Sequence, residues 1–355
     1  MVQSPLLAAL NANTCALAVT SGANIHLQDI REKSQLLLAI EIPSNINTAC
    51  KFILNWYAVK KQLIQFLRQR ASIIHVIMCS PWDIFFLKIA KQSRIPLLVT
   101  IHDAVQHKGE ESYLMDKLRR WCMMQASDVA VLSDYVAQTL KSKHNLNKPI
   151  HVVEDGLIMR VESALLARTY PHQRPLKLLF HGRIHAYKGL DLLLDAMLLL
   201  QNQGHLFPLT IAGLGDLTRY QSKIIQLNNI CVHNEFMSDE ELLQTLAFHD
   251  IAVLPYIEAS QSAVAVDALW AALPSIATPV GALPQQFKHG IDALIIESVN
   301  AESLAIAIHQ LSTDKILYEK LSKGAYQSFQ MSGSAKAASQ WLELYTQIIK
   351  KRNEP

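Results

Sequence analysis

Two cations stand five positions apart in the stretch FHGRIHAYKGLDLLLDA, residues 180–196. An apolar run of Leu176, Leu178, Leu179 and Phe180 stops at Gly182. Arg183 and Lys188 follow, and then a strongly apolar helical pattern begins. In an open α/β sheet, ligands bind beyond the carboxyl ends of the strands, and the next helix offers unpaired amides and the positive end of its dipole. Arg grips two oxygens at once and Lys acts as a point charge, so the pair suits a diphosphate. The plainer reading of the same residues is a surface Arg and Lys flanking a glycine turn. Neither a Walker A sequence nor GxGxxG is present, which argues against an ordinary nucleotide triphosphatase or dehydrogenase site.

A second stretch, LPYIEASQSAVAVDALWAALPSIATPVGALPQQFKHGIDALIIE at 254–297, carries Glu258 at a strand end, with Ser260, Gln261 and Ser262 opening a helix. Asp267 sits in the middle of that helix among apolar residues. A carboxylate on a buried side is costly unless it meets a partner, and the hydroxyls of a sugar or ribose would serve. The alternative is a serine N-cap with Asp267 facing water. In VTIHDAVQHKGE, 99–110, the pair His102–Asp103 ends another apolar run. His181 and His185 read as polar fillers, His249 as a packing residue, and Trp270 as core. Gly213 and Gly215 form a turn that either admits a nucleotide or is only a turn.

The elements that must hold these residues follow from hydropathy. Short apolar runs at 14–19, 35–40, 73–78, 96–101, 128–132, 150–153, 176–181, 208–212, 229–233, 250–254, 275–277 and 293–296 read as strands. Several are continuous rather than alternating, as in parallel sheets buried on both faces. Helical patterns lie between them at 53–70, 112–125, 134–143, 189–202, 239–248, 262–272 and 301–310, with a last one at 332–352. The alternation predicts βαβ units. SDEE at 238–241 predicts a capping box, and Gly204 a helix end. PHQRPLK, 171–177, is the best linker, so two Rossmann-like halves meet near 170.

The totals bound the function. With 355 residues, 50% hydrophobic and 18% charged, the chain can bury a large core. A net charge of +3 argues against nucleic-acid binding. Basic clusters at Lys60, Lys61, Arg68 and Arg70, at Lys117, Arg119 and Arg120, and at Lys350 to Arg352 read as solvated faces or as contacts to an anionic membrane. Five widely spaced cysteines show no CxxC or Cys/His spacing, so neither zinc nor a disulfide framework is expected. The N-terminal apolar stretch lacks a basic start and is broken by Asn11, Asn13 and Thr14, so it is not read as an export signal. The most apolar later run, 263–283, contains Asp267 and Pro274, so no membrane span is expected.

The blocks HGRIHAYKGLDLLLDA, LTIAGLGD, NEFMSDEELLQTLAFHDIAVLPY and EASQSAVAVDALWAALPSIATPVGALPQQFKHG, in this order and spacing, resemble the family-4 retaining glycosyltransferases of the GT-B fold. The likeness is strong over 150–350 and weaker over 70–150, and falls in a subgroup with an EASQS-type donor loop. It implies two Rossmann-like parallel-sheet domains facing across a cleft. These are an acceptor-side domain at 1–168, a nucleotide-sugar domain at 169–330, and a helix at 331–355 crossing back to the first. It implies that Gly182, Arg183 and Lys188 hold the donor diphosphate, the two cations stabilising it as it leaves. Glu258 and His102 would lie by the donor sugar, and Ser262, Ala263 and Val264 would serve sugar and phosphate. Asp267 would hold the ribose, and Asn234 to Met237, Phe236 among them, would border the base. Asp103 and His107 are acceptor-side candidates. The implied partners are a nucleotide-sugar donor, a saccharide or lipid-linked acceptor, peripheral membrane contact from the cytoplasm, and no nucleic acid. No cofactor or metal is expected, since no DxD triplet is present and side chains supply the positive charge.

Three departures accompany the resemblance. Glu258 and Asp267 have eight residues between them rather than seven, and Ala263 stands where that subgroup has Gly, so a methyl group would crowd a phosphate. Asp267 replaces a Glu that is one methylene longer. The first strand and its Gly-rich loop are not recognisable at the N-terminus. A weakened homologue that binds a nucleotide sugar without turnover, and a sugar-nucleotide epimerase of the same architecture, are the alternative readings.

Overall fold

The structure, a computed structural model, describes residues 15–20, 36–42, 46–77, 79–106, 112–144, 146–153, 165–331 and 334–353. Residues 1–14, where the resemblance places a Gly-rich loop, and His107 lie outside them. The chain divides into two compact units: Met1–Val105 with Ser112–Ile158 and Gly333–Pro355, and Gln106–Glu111 with Met159–Ser332.

In the first unit, β1 (Cys15–Thr20) and β2 (Leu36–Ile42) form a parallel pair. A parallel sheet runs in the order β3 (Ile74–Val76), β4 (Leu97–Ile101), β5 (Asp128–Val131), β6 (Ile150–Val152). Its helices are α1 (Ile46–Leu54), α2 (Trp56–Arg70), α3 (Asp83–Ser93), α4 (Tyr113–Gln125) and α5 (Asp134–His144). Strand β4 is buried along its whole length, so its period-two alternation feeds two cores. Leu97, Val99 and Ile101 join Leu118, Cys122 and Met123 of α4 and Leu140 of α5. Leu98 joins Ala130 and, from the helix Ser334–Asn353, Trp341, Leu344 and Ile348. His75 reinforces that second face, bonding Tyr345 Oη through Nδ1 and Thr100 Oγ1 through Nε2, both at 2.7 Å. The single helix expected at 53–70 is instead two, because the chain turns at Asn55. That turn leaves Ile53 and Leu54 exposed, while Phe52 is buried against Trp56, Trp82 and Phe85.

The second unit contains β7 (Leu178–His181), α6 (Leu190–Asn202), β8 (Leu209–Ala212), α7 (Gln221–Gln226), β9 (Ile230–His233) and α8 (Asp239–Phe248). It continues through β10 (Ile251–Leu254), α9 (Ala263–Trp270), β11 (Ser275–Ala277), α10 (Leu283–Gln286), β12 (Ala293–Ile295), α11 (Ala301–Thr313) and α12 (Lys315–Met331). The helix Ser334–Asn353, α13, belongs to the first unit. The six strands pair in parallel as β12–β11–β10–β7–β8–β9, so the winding reverses between β7 and β10. Such a reversal opens a crevice at the strand ends. The capping box of α8 has both bonds, Glu241 N to Ser238 Oγ at 3.3 Å and Ser238 N to Glu241 Oε2 at 2.7 Å.

Arg168, ahead of the expected linker, already packs in the second unit. Its guanidinium donates to the carbonyls of Leu246, Ala247, His249 and Ala271, at 2.6 to 3.2 Å. It thereby closes the end of α8, whose last carbonyls have no helical donor. Arg174 then forks onto Asp250 at 2.5 and 3.0 Å, which places the linker at the amino-terminal end of β10, an interior strand of the sheet. The ammonium of Lys cannot reproduce a planar fork. Arg168→Lys should therefore cost about 1.5 kcal/mol, a fall of roughly 3–6 °C in the unfolding midpoint of the second unit by calorimetry.

Candidate active site

The reversal between β7 and β10 brings the two chemistry-bearing stretches together. After β7 the chain passes Gly182, makes a short 3₁₀ turn at Ala186–Lys188, and enters α6 at Leu190 rather than at Gly189. After β10, Ile257 N bonds back to Tyr187 O at 2.8 Å, so the two strand ends are laced side by side. A Cβ placed on Gly182 would lie 3.1 Å from Val264 Cγ2 and 3.9 Å from Lys188 Nζ, which puts the start of α9 and the lysine head over this glycine. Gly213 explains itself differently from a nucleotide contact. Its φ is +146° and an added Cβ would meet Gly182 O at 2.2 Å, so the turn after β8 must be bare for the turn after β7 to exist.

Lys188 Nζ donates to Tyr256 Oη at 2.6 Å, and Ser262 Oγ donates to the same oxygen at 3.2 Å. Burial raises the Tyr256 phenol above its ordinary value, so it stays protonated. Tyr256 thus fixes the height of the ammonium and ties it to the mouth of α9. Ser262 also caps that helix, accepting from Ala265 N at 3.3 Å, and is clamped through its own backbone by Gln286 at 2.8 and 3.1 Å. Helix α9 therefore runs from Ala263 to Trp270, shorter than the 262–272 expected. Arg183 is exposed, Lys188 and Glu258 are half-buried, and Ala263 is exposed at the first helical position. Asp267 is half-buried and lies one turn from Ala263 and Val264, on their face of α9. Tyr256, Tyr187 and Gln286 were not read from the sequence. The only sequence signal for Tyr256 is its place just beyond the buried run of β10.

The remaining candidates are more scattered. Asn234 Oδ1 accepts from Gly215 N at 2.9 Å, so its side chain braces the turn after β8. Phe236 is exposed at 72%, and Met237 is half-buried, its sulfur 3.9 Å from Thr245 Oγ1. His181 is buried, and burial, with Lys188 nearby, pushes its imidazole down to about 3. It is a neutral interior group, whereas His185 stacks on Tyr187. His249 packs, bonding Thr245 O at 2.6 Å and Thr210 Oγ1 at 2.8 Å. Trp270 is core.

In the first unit, His102 follows β4 and faces Ile77 O through Nε2 at 2.9 Å. A carbonyl only accepts, so Nε2 carries the proton and the neutral ring presents Nδ1 as an acceptor. Burial lowers its pKa, partly opposed by the bond to Ile77 and by Asp103. The backbone oxygen of Asp103 accepts from Arg119 at 2.7 Å.

Two parallel-sheet α/β units of this kind are the GT-B fold. Anabaena HepE in complex with UDP superposes with a TM-score of 0.73 at 15% identity, over 97% of this chain and 95% of that one. Residues 167–328 match the model described as glycosyl transferases group 1, and 22–158 match the glycosyltransferase family 4 model. Together they support a GT-B glycosyltransferase. Among curated relatives, an uncharacterized glycosyltransferase of Methanocaldococcus jannaschii is 25% identical over 166 residues, covering 45% of this chain and 42% of that protein. The amylovoran biosynthesis glycosyltransferase AmsK of Erwinia amylovora is 23% identical over 244 residues, covering 58% and 60%. Each of these two alignments covers less than two thirds of the relative's own length. Among the described residues, no helix is long and apolar enough to cross a membrane.

Proposed function

We propose that the chain transfers a sugar from a nucleotide-sugar donor to a saccharide or lipid-linked saccharide, with retention at the anomeric carbon, in cell-surface polysaccharide assembly. The observation that carries this reading is Lys188 Nζ close to Gly182, held by the Tyr256 hydroxyl that also accepts from Ser262 at the mouth of α9. As the bond from the sugar to the diphosphate breaks, negative charge collects on the departing oxygens. Lys188, held in advance by Tyr256, and Arg183, exposed five positions earlier in the same loop, would take up that charge. The amides that open α9 at Ala263 and Val264 add the positive end of a helix dipole. Asp267, on the same helical face, would receive ribose hydroxyls, Glu258 the sugar, and residues 234–237 the base. His102, Asp103 and His107 keep the roles that the resemblance implies. In this reading the transfer itself needs no metal, because the leaving group is neutralised by side chains.

Two neighbours add support by name. HepE is also known in complex with UDP-glucose, and AmsK takes its name from amylovoran biosynthesis. A lipid-linked acceptor would place the enzyme at the cytoplasmic face of a membrane. Exposed Ile53, Leu54 and Tyr57 beside Lys60 and Lys61 suit that contact. The epimerase and the inactive-homologue readings are not favoured. The test is a thermal-shift screen across UDP-, GDP- and ADP-sugars, followed by an assay for nucleoside diphosphate release. One donor class should raise the unfolding midpoint and be consumed, and Arg183→Ala should slow its consumption by about 10²-fold. A folded protein that none of these donors stabilises, and that consumes none, contradicts the proposal.

A further inference from the structure

Cys79 and Asp83 stand four positions apart, Cys122 lies 39 residues beyond Asp83, and the three show neither a CxxC nor a Cys/His spacing. The fold brings them together. Cys79 lies in the turn after β3, Asp83 opens α3, and Cys122 is in the last turns of α4. Their ligand atoms all lie within 4.8 Å of one another. Cys122 is 0% exposed, Asp83 is 8% exposed, and Cys79 is half-buried. The surroundings are apolar: Cys122 belongs to the core of Leu87, Val99, Ile101 and Met123, against which Cys79 packs.

Asp83 makes the grouping more than a cysteine pair. A carboxylate taken out of water needs an opposite charge or several donors. Asp83 Oδ2 accepts one bond, from Ser80 N at 2.6 Å. Among the described residues, no Lys, Arg or His pairs with it. Two sulfurs and a carboxylate oxygen are the donor set of a borderline-soft divalent cation. In a tetrahedral zinc site, bonds of about 2.3 Å to sulfur and 2.0–2.2 Å to oxygen place the ligand atoms about 3.5–3.8 Å from one another. The measured limit accommodates that with a small adjustment of side chains.

We propose that Cys79, Asp83 and Cys122 form a structural site for zinc or a similar thiophilic divalent ion, its fourth position taken by water through the half-buried side of Cys79. Binding releases the two thiol protons to solvent and leaves a neutral thiolate pair and cation, with the carboxylate as third ligand. The ion would staple the turn after β3 to the start of α3 and the end of α4. This site is separate from the sugar-transfer residues, and the proposal does not depend on that reading.

The test uses the full chain, stripped of metal by chelator and titrated with Co²⁺. One equivalent should produce the near-ultraviolet thiolate-to-cobalt charge-transfer band, in the wild type and in Cys231→Ser. The second variant is needed because Cys231 Sγ and His233 Nε2 are 3.3 Å apart on the surface and could capture cobalt themselves. Cys79→Ser, at a half-buried position, should lose the band and still fold by circular dichroism. Asp83→Asn should weaken the affinity. A second measurement needs no variant: in the wild type, one equivalent of Zn²⁺ should slow alkylation of Cys79 by about tenfold or more. Absence of the band at stoichiometric Co²⁺, its persistence in Cys79→Ser, its loss in Cys231→Ser, or unchanged alkylation of Cys79 with zinc would each overturn the assignment.

Discussion

Lys188→Met should lower kcat/KM for donor turnover by about 10²–10³, the scale of losing one preorganised charge from a leaving-group site. Methionine keeps the length and the apolar stem, so Gly182 and the turn above it stay covered while the charge goes. The loss should appear mainly in kcat, because charge on the diphosphate grows as the glycosidic bond breaks. Tyr256→Phe is the companion experiment. It leaves the ammonium but removes the oxygen that holds it at 2.6 Å and the acceptor for Ser262. Removing one such bond, about 1.4 kcal/mol, corresponds to roughly tenfold. A positioning role for Tyr256 therefore predicts a smaller deficit than Lys188→Met and no further loss in the double variant. Equal deficits in the two single variants would mean that the phenol itself meets the substrate. Unchanged turnover in Lys188→Met would remove the lysine from the reaction.

The second large effect is on stability in acid. Burial holds His181 down to about 3 in the folded chain, against 6.5 for an exposed imidazole. The folded state therefore binds fewer protons than the unfolded state between those values. The stability is fully present above 6.5 and is lost as the pH falls towards 3. From pH 7 to pH 5 the loss is about 2 kcal/mol for His181 alone. His75 in the first unit is likewise held at about 3 by burial, with His102 adding to it, and contributes a loss of the same order to that unit. There Asp83 opposes it. Burial raises its carboxyl to about 6 in the metal-free protein, so the folded state gains a proton first and recovers about 1 kcal/mol over the same interval. The Nε2 of His181 is buried with no hydrogen-bond partner, so His181→Leu should cost little at pH 7 and should flatten the pH dependence of the second unit. Urea unfolding at pH 7 and pH 5 measures both, and an unchanged slope in His181→Leu would contradict the assignment.

The strands were legible because parallel strands covered on both faces must be apolar at every position. All twelve runs marked in the sequence have their counterpart in the structure within about two residues, from Cys15–Thr20 to Ala293–Ile295. The helices were less legible where a local signal contradicts a tertiary one. Helix α12 contains Gly324, a residue that weakens a helix interior, and the pattern there was not read as helical. In the fold, a Cβ at Gly324 would lie 1.8 Å from Ile291 O, so the glycine is there to let another segment approach. Helix α3 opens on Asp83 and buries only part of one face, which gives a faint periodicity. At the site, the charged residues could be found by type and position. Tyr256, Gln286 and Arg168 could not, because each works through a partner 24 to 103 residues away. In the cysteine–aspartate grouping, Cys122 was hidden for the same reason, lying 39 residues beyond Asp83.

The packing of α13 has a bearing on how the chain is made. Leu98 and Ala130 in the sheet of the first unit find Trp341, Leu344 and Ile348 only after translation has passed the whole second unit. One face of that early sheet therefore waits, partly bare, while more than 150 further residues are synthesised. At a ribosomal rate of about 5–20 residues per second, the wait is on the order of ten to forty seconds. During it the nascent chain presents an apolar surface that a chaperone, or another copy, can reach before its own last helix does.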